Sequence, residues 1–187
     1  MAAHREMQRT ALLAAARALL TEGGVDALTF PALAGRTGLA RSSVYEYFRS
    51  RAAVVEELFA ADFPVWAARI ETAMAAADTP SGQVEAYIRT QLALVRDPQH
   101  RAVAAISAAE LDDAARDRIR ASHGRLVGLV VSALQELGHT QPGLAAALLQ
   151  GVVETAVRRL ELGAAEDPEV IVSTAVAFAL RGVAREE

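Results

Sequence analysis

Apolar residues recur along this chain at spacings of three and four, the signature of helices with one buried face. In the first segment Leu12, Ala16 and Leu19 fall at i, i+4 and i+7, with Ala15 on the same stripe, and Gly23-Gly24 ends the pattern. Thr29 is placed to cap a short second helix that tolerates Pro31 in its first turn. Thr37-Gly38-Leu39 interrupts that helix. The pattern resumes over Arg41–Phe48 and again from about Arg51 to Ala61. Longer helices are predicted near 64–77, 83–96, 99–109, 112–137, 142–163 and 168–184. Thr79-Pro80-Ser81-Gly82, Asp97-Pro98, Gly138, Pro142-Gly143, Gly163 and Asp167-Pro168 punctuate them. Period-2 alternation bounded by turn residues is absent, as are Asn-Gly and Asp-Gly hairpin turns. The expected fold class is therefore all-α. The short helices of the first sixty residues make a separately foldable unit, which sets the expected domains at 1–60 and 61–187.

Composition narrows the chemistry. Of the 187 residues 52% are hydrophobic, many of them alanine, which suits closely packed helices better than a sheet. There is no cysteine, so disulfides, thiolate metal sites and a cysteine nucleophile are excluded. The strongly apolar runs Leu126–Leu134 and Val170–Leu180 fall short of the roughly 18 residues of a membrane span, and no secretion signal is evident. A cytoplasmic protein with no membrane association is expected. All 19 basic residues are arginine, and the net charge is −4. Residues 1–60 hold seven Arg against six Asp and Glu, whereas residues 61–187 hold twelve against seventeen, so the acidic excess is C-terminal. This permits nucleic-acid binding by the first part without arguing for it; the local placement of arginine must carry that case.

That placement is found in Leu33–Phe48, LAGRTGLARSSVYEYF. A helix-turn-helix needs a small residue where its helices cross, and Ala34 supplies it. Four positions on, the turn needs a residue that tolerates positive φ, and Gly38 qualifies. Six further on, Val44 faces back into the pair, with Leu33 and Leu39 completing the small core. Arg41, Ser42 and Ser43 are left outward at the start of the second helix, the end that meets base edges in a major groove.

On these residues the chain resembles the TetR (TetR/AcrR) type of helix-turn-helix transcriptional regulator. The matching features run from Thr10 to Phe59: Leu12-Leu13, Ala15-Ala16, Leu19-Leu20, Gly24, Thr29, Leu33-Ala34, Gly38-Leu39, Tyr45, Phe48 and Leu58. Tyr45-Glu46-Tyr47-Phe48 is the most characteristic piece. The resemblance implies a three-helix DNA-binding domain followed by a helical ligand-binding and dimerisation domain. It implies that Arg41, Ser42 and Ser43 approach base edges or nearby phosphates. Tyr45 and Tyr47 would offer hydroxyls to phosphate oxygens, and Thr29 would aim its helix N-terminus at a phosphate. Arg51 stands where the family usually has lysine. Two positions depart from the family pattern. Ala40 replaces the usual Ser or Thr cap, a loss that typically costs ~1 kcal/mol. Glu46 would be repelled by phosphate, and is expected to point away or to pair with Arg49 or Arg17.

The last two predicted helices are apolar over a very broad arc, through Leu144, Leu148, Leu149, Val152, Val153 and Leu160, then Val170, Ile171, Val176 and Phe178. A helix apolar on every side must be buried on every side, and a second subunit can supply the cover. A homodimer is expected, which the resemblance also implies, and which reading a palindrome in double-stranded DNA requires. Between the two functions lie helices bearing Val103, Ile106, Leu126 and other core candidates. Trp66, Met74, Tyr87 and Gln91 are selected as lining for a small-molecule effector pocket, with Glu154 and Arg158 as polar anchors.

No catalytic role is expected. His4, His100, His123 and His139 form no i, i+4 metal pair, and nucleophile-elbow, Walker and dinucleotide motifs are absent, so neither metal nor cofactor is expected. The expected function is that of a repressor released from a palindromic operator by a small apolar or amphipathic ligand, and the alternative is a helical protein–protein adaptor that keeps the fold without specific DNA binding. Such an adaptor would have no use for the outward Arg41, Ser42, Ser43, Tyr47 and Arg51.

Overall fold

The leucine–alanine stripe of the first segment builds α1 (Ala2–Ala27), two helical stretches joined at Gly24. Gly24 has φ 67° and ψ −160°, a conformation that only glycine reaches cheaply, so the predicted glycine break is present as a kink. The computed structural model describes residues 2–97, 100, 113–163 and 165–183. Among these residues the chain forms eight helices and no strand. After α1 come α2 (Phe30–Thr37), α3 (Arg41–Tyr47), α4 (Arg51–Ala75), α5 (Pro80–Val95), α6 (Asp113–Glu136), α7 (Pro142–Glu161) and α8 (Pro168–Val183). No described helix is long and apolar enough to cross a membrane. The helix expected over 99–109, with Val103 and Ile106, lies outside the described residues apart from His100.

The predicted boundary between a helix ending at Ala61 and another starting at 64 is corrected: α4 runs unbroken through Pro64. Proline there leaves the Ala60 carbonyl without its helical N–H partner, ordinarily a strong reason to end a helix. Packing overrides it. Val54, Val55, Leu58, Phe63, Trp66, Ala67, Ile70 and Met74 are all buried, and Phe63, Trp66, Ile70 and Met74 follow three- and four-residue steps through the proline. At α5 the helix starts three residues before the expected 83. Thr79 caps it, its hydroxyl accepting from Gly82 N–H at 3.1 Å, and Pro80 occupies the first turn, where no N–H partner is lost.

The described helices group into two compact units. The first contains α1 to α3 and α4 as far as Phe63, with residues 113–119. Leu12, Ala16, Leu33, Val44, Phe48, Val54 and Leu58 fill its core. Each large apolar side chain withdrawn from water there contributes roughly 1.5–3 kcal/mol. Two arginines tie α1 to α4. Arg17 grips the Asp62 carboxylate through Nε at 3.0–3.1 Å and through Nη2 at 2.5 Å, and Arg9 pairs with Glu57 at 2.6 Å. In the second unit, from Pro64 to Asp97 and from Arg120 onward, α5 packs against both α7 and α8. Val84, Ile88 and Leu92 of α5 meet a core that includes Leu149 and Val153 of α7 and Val172 and Val176 of α8.

Candidate nucleic-acid interface and regulatory core

The helix-turn-helix forms because each local requirement is met. Thr29, extended at φ −122° and ψ 154°, caps α2, its hydroxyl accepting from Ala32 N–H at 3.2 Å. At the other end Gly38 lies in the left-handed region, φ 69° and ψ 14°, and its N–H returns to the Ala34 carbonyl. Leu39 N–H donates to the same carbonyl at 3.2 Å. Ala34 and Leu33 on α2, and Val44 on α3, are buried, so the small residue and the back-facing valine pack as their spacing required.

Packing this side of α3 inward leaves the other outward. Arg41, Ser42, Tyr45 and Glu46 are exposed, while Ser43 and Tyr47 are half-buried on the flank. Ala40 begins α3 with no side-chain hydrogen bond, as expected of the missing hydroxyl. Tyr45 is held by its ring, which meets Phe30 edge-on with centroids 4.5 Å apart. Arg51 opens α4, and the cap there is Ser50, whose hydroxyl accepts from Ala53 N–H at 3.1 Å. Ser50 was legible as the polar residue before a helix start, yet the sequence reading passed over it.

Two features of this face were not foreseen. Arg17 is committed to Asp62, so it is not a partner for Glu46, which stands exposed. The Tyr47 hydroxyl donates to Gln8 Oε1, and the Arg5 guanidinium lies over the Tyr47 ring, 5.8 Å from its centroid. Arg5 Nη2 also donates to the Glu46 carbonyl at 3.5 Å. These contacts join residues about forty positions apart, and no local pattern announces them.

In the second unit Trp66, Met74 and Tyr87 are buried and Gln91 is half-buried. The Tyr87 hydroxyl donates to Gln150 Oε1 of α7 at 3.1 Å. Burial raises its pKa to about 12, opposed by a hydrogen bond from Gln91, so Tyr87 remains a neutral donor at physiological pH. Gln150 is thus a polar member of this core that the sequence reading missed. Glu154 and Arg158 are not brought together with it. Both are exposed on α7, and Arg158 reaches only Thr155 Oγ1 at 3.5 Å.

The outer faces of α7 and α8 form an open groove of about 970 Å³. Leu144, Leu148, Val170 and Phe178 line it, each more than half exposed; Leu148 reaches 67% and Phe178 68%. Both helices also have a buried side, so apolar surface is left over after the unit has packed.

The phenol shift has a signed consequence. With the folded pKa raised above its unfolded value, Tyr87 contributes stability that is fully present below pH ~10 and is lost as pH rises towards ~12. Tyr87→Phe should remove one late phenol transition, near pH 12, from an alkaline absorbance titration, and should flatten the fall in stability over that interval. Retention of the late transition in the variant would contradict the assignment.

Comparison with known proteins bears on the same features. Residues 12–58 match the profile of bacterial regulatory proteins of the tetR family. No curated protein sequence matches the chain. Among solved structures, a TetR-family transcriptional regulator from Streptomyces coelicolor superposes with a TM-score of 0.75 at 18% identity, covering 95% of this chain and 96% of that one. The transcriptional regulator FadR from Bacillus subtilis, solved with stearoyl-CoA, gives 0.75 at 16% identity, covering 92% and 98%. AibR, solved with isovaleryl coenzyme A and operator DNA, gives 0.71 at 15% identity, covering 91% and 97%. Residues 12–58 thus carry the sequence profile of the tetR family, and the described residues share the helical fold of TetR-family transcriptional regulators.

Proposed function

We propose that this protein is a sequence-specific DNA-binding repressor that acts in the cytoplasm as a homodimer and leaves a palindromic operator when a small apolar or amphipathic ligand binds. The observation that carries this reading is the turn at Gly38, which packs Val44 inward and leaves Arg41 and Ser42 outward, with half-buried Ser43 on their flank, at the start of α3. In this reading residues 1–60 bind DNA and residues 61–187 dimerise and sense the ligand. Arg41, Ser42 and Ser43 read base edges or adjoining phosphates. Thr29, Tyr45 and Arg51 lie along the same stretch and fix register on the backbone, and Tyr47 stands among them with its hydroxyl bound to Gln8.

The second subunit is supported by the α7–α8 groove. Water-exposed Leu148 and Phe178 in a row with Leu144 and Val170 make a continuous apolar strip of the kind that subunit interfaces cover. A twofold pair of these faces forms a four-helix contact and sets two recognition helices for successive major grooves. The ligand reading is supported by the apolar surroundings of Trp66, Met74 and Tyr87, where the Tyr87, Gln91 and Gln150 side chains supply a few polar groups. FadR and AibR, with stearoyl-CoA and isovaleryl coenzyme A, show acyl thioesters bound on this fold, which makes them the first class to screen. Release then follows from population shift, the ligand favouring a dimer whose α3 helices no longer match the groove spacing.

Two experiments test this reading. In competition titrations against unrelated DNA, Arg41→Ala should change the ranking of operator sequences, with about 1–3 kcal/mol less discrimination at the base pair it reads. Tyr47→Ala should weaken binding to all sequences alike. The reverse pattern would exchange their roles, and equal weak binding of the unaltered protein to every DNA would remove the reading. Separately, Phe178→Glu should convert the dimer to a folded monomer in sedimentation and lower operator affinity sharply. A dimer unaffected by Phe178→Glu and by Leu148→Glu would place the interface elsewhere.

A further inference from the structure

Tyr47 closes α3, and its hydroxyl has a single proton, which it gives to Gln8 Oε1. It therefore has none left to donate to a phosphate oxygen. What the residue presents instead is its ring, half-buried, with the exposed Arg5 guanidinium lying over it. A guanidinium at this distance is attracted to the ring face and loses some of its freedom to wander.

Arg5 and Gln8 are three residues apart on α1, so both project from one helical face, and both reach α3. The Glu46 carbonyl that Arg5 approaches belongs to the last turn of α3, where carbonyls without helical partners favour a cation. A guanidinium has five N–H donors, and the Glu46 carbonyl engages one nitrogen. The others remain accessible on an exposed side chain beside the outward face of α3. That face carries one arginine, Arg41, and one acid, Glu46, so on its own it offers phosphate no net positive charge. Arg5 supplies the missing cation.

Resting on the DNA-binding reading above, we propose that Arg5 is a DNA-phosphate contact, with the Tyr47 ring as its platform and the Gln8 hydrogen bond locking that platform in place. Arg5 touches the DNA, and Tyr47 and Gln8 are positioning residues. The charge of Glu46 on the same helix is offset by this arrangement, Arg17 being committed to Asp62.

The test uses the full-length protein and two duplexes of about 30 base pairs, one enriched by the protein from a random pool and one of unrelated mixed sequence. A phosphate contact acts on both. Each one adds about 0.9 to the slope of log affinity against log salt, so removing Arg5 from both subunits should reduce the slope by about 1.8. Between about 50 and 200 mM salt, Arg5→Ala should then lose roughly tenfold less affinity than the unaltered protein. Arg5→Lys should restore the slope. Tyr47→Phe, which keeps the ring, should stay within about twofold of the unaltered affinity, and Tyr47→Leu should approach the Arg5→Ala behaviour. Unchanged thermal midpoints for Arg5→Ala and Arg5→Lys exclude misfolding as the cause. If the unaltered protein binds with its full slope and Arg5→Ala retains it, the proposal is overturned while the DNA-binding reading stands. A loss in Tyr47→Phe as large as in Tyr47→Leu overturns the platform role. Failure of the unaltered protein to bind either duplex defeats both readings together.

Discussion

At Gly38 the backbone turns into the left-handed region, and the Gly38 and Leu39 N–H groups both close on the Ala34 carbonyl. This satisfies the end of α2 and starts α3 within three residues, at an angle only a small residue at Ala34 allows. The direction of every side chain on α3 depends on that turn. α3 has seven residues and no side-chain cap at Ala40, too little helix to persist by itself in water. It is held by its surroundings: Val44 and Phe48 in the core, Tyr45 against Phe30, and Tyr47 against Gln8 and Arg5. A short helix fixed from several sides is held rigid, and its order is borrowed from α1 and α2.

Charge makes sense only at this local scale. The chain is acidic overall, and several arginines of the first unit are engaged by carboxylates: Arg9 by Glu57, Arg17 by Asp62 and Arg36 by Glu22. Those pairs brace α1 against α4 and α2 against α1. Surface pairs of this kind contribute little each, but the bidentate, partly buried Arg17–Asp62 pair is of the stronger type. Arg41 on α3 and Arg5 beside it stand exposed. A count of charges cannot separate bracing arginines from exposed ones, because the distinction lies in which acid each one faces.

How much was legible follows from the distance over which each feature is encoded. The helix-turn-helix was readable because Ala34, Gly38 and Val44 act within ten residues, and Thr29, Gly24 and Ala40 act within a single turn. The uninterrupted α4 was misread because proline is a strong local signal, whereas the phase of Phe63, Trp66 and Ile70 across it is a weaker, longer one. The pairing of Arg17 and the use of the Tyr47 hydroxyl depend on helices meeting across about forty residues, which periodicity does not specify. In the second unit, an apolar stripe looks the same whether it lines a pocket or fills a core. Trp66 and Met74 could be placed in the interior, but Gln150 became visible only as the acceptor for Tyr87.

In the proposed function two copies of α3, set by one dimer, read one twofold site. Hydroxyl-radical footprinting of a DNA fragment enriched by the full-length protein tests it most directly. Two symmetric protected clusters are expected, with centres about 34–36 Å, or roughly ten base pairs, apart or a multiple of that spacing. A single protected cluster, or diffuse protection without twofold symmetry, would contradict it.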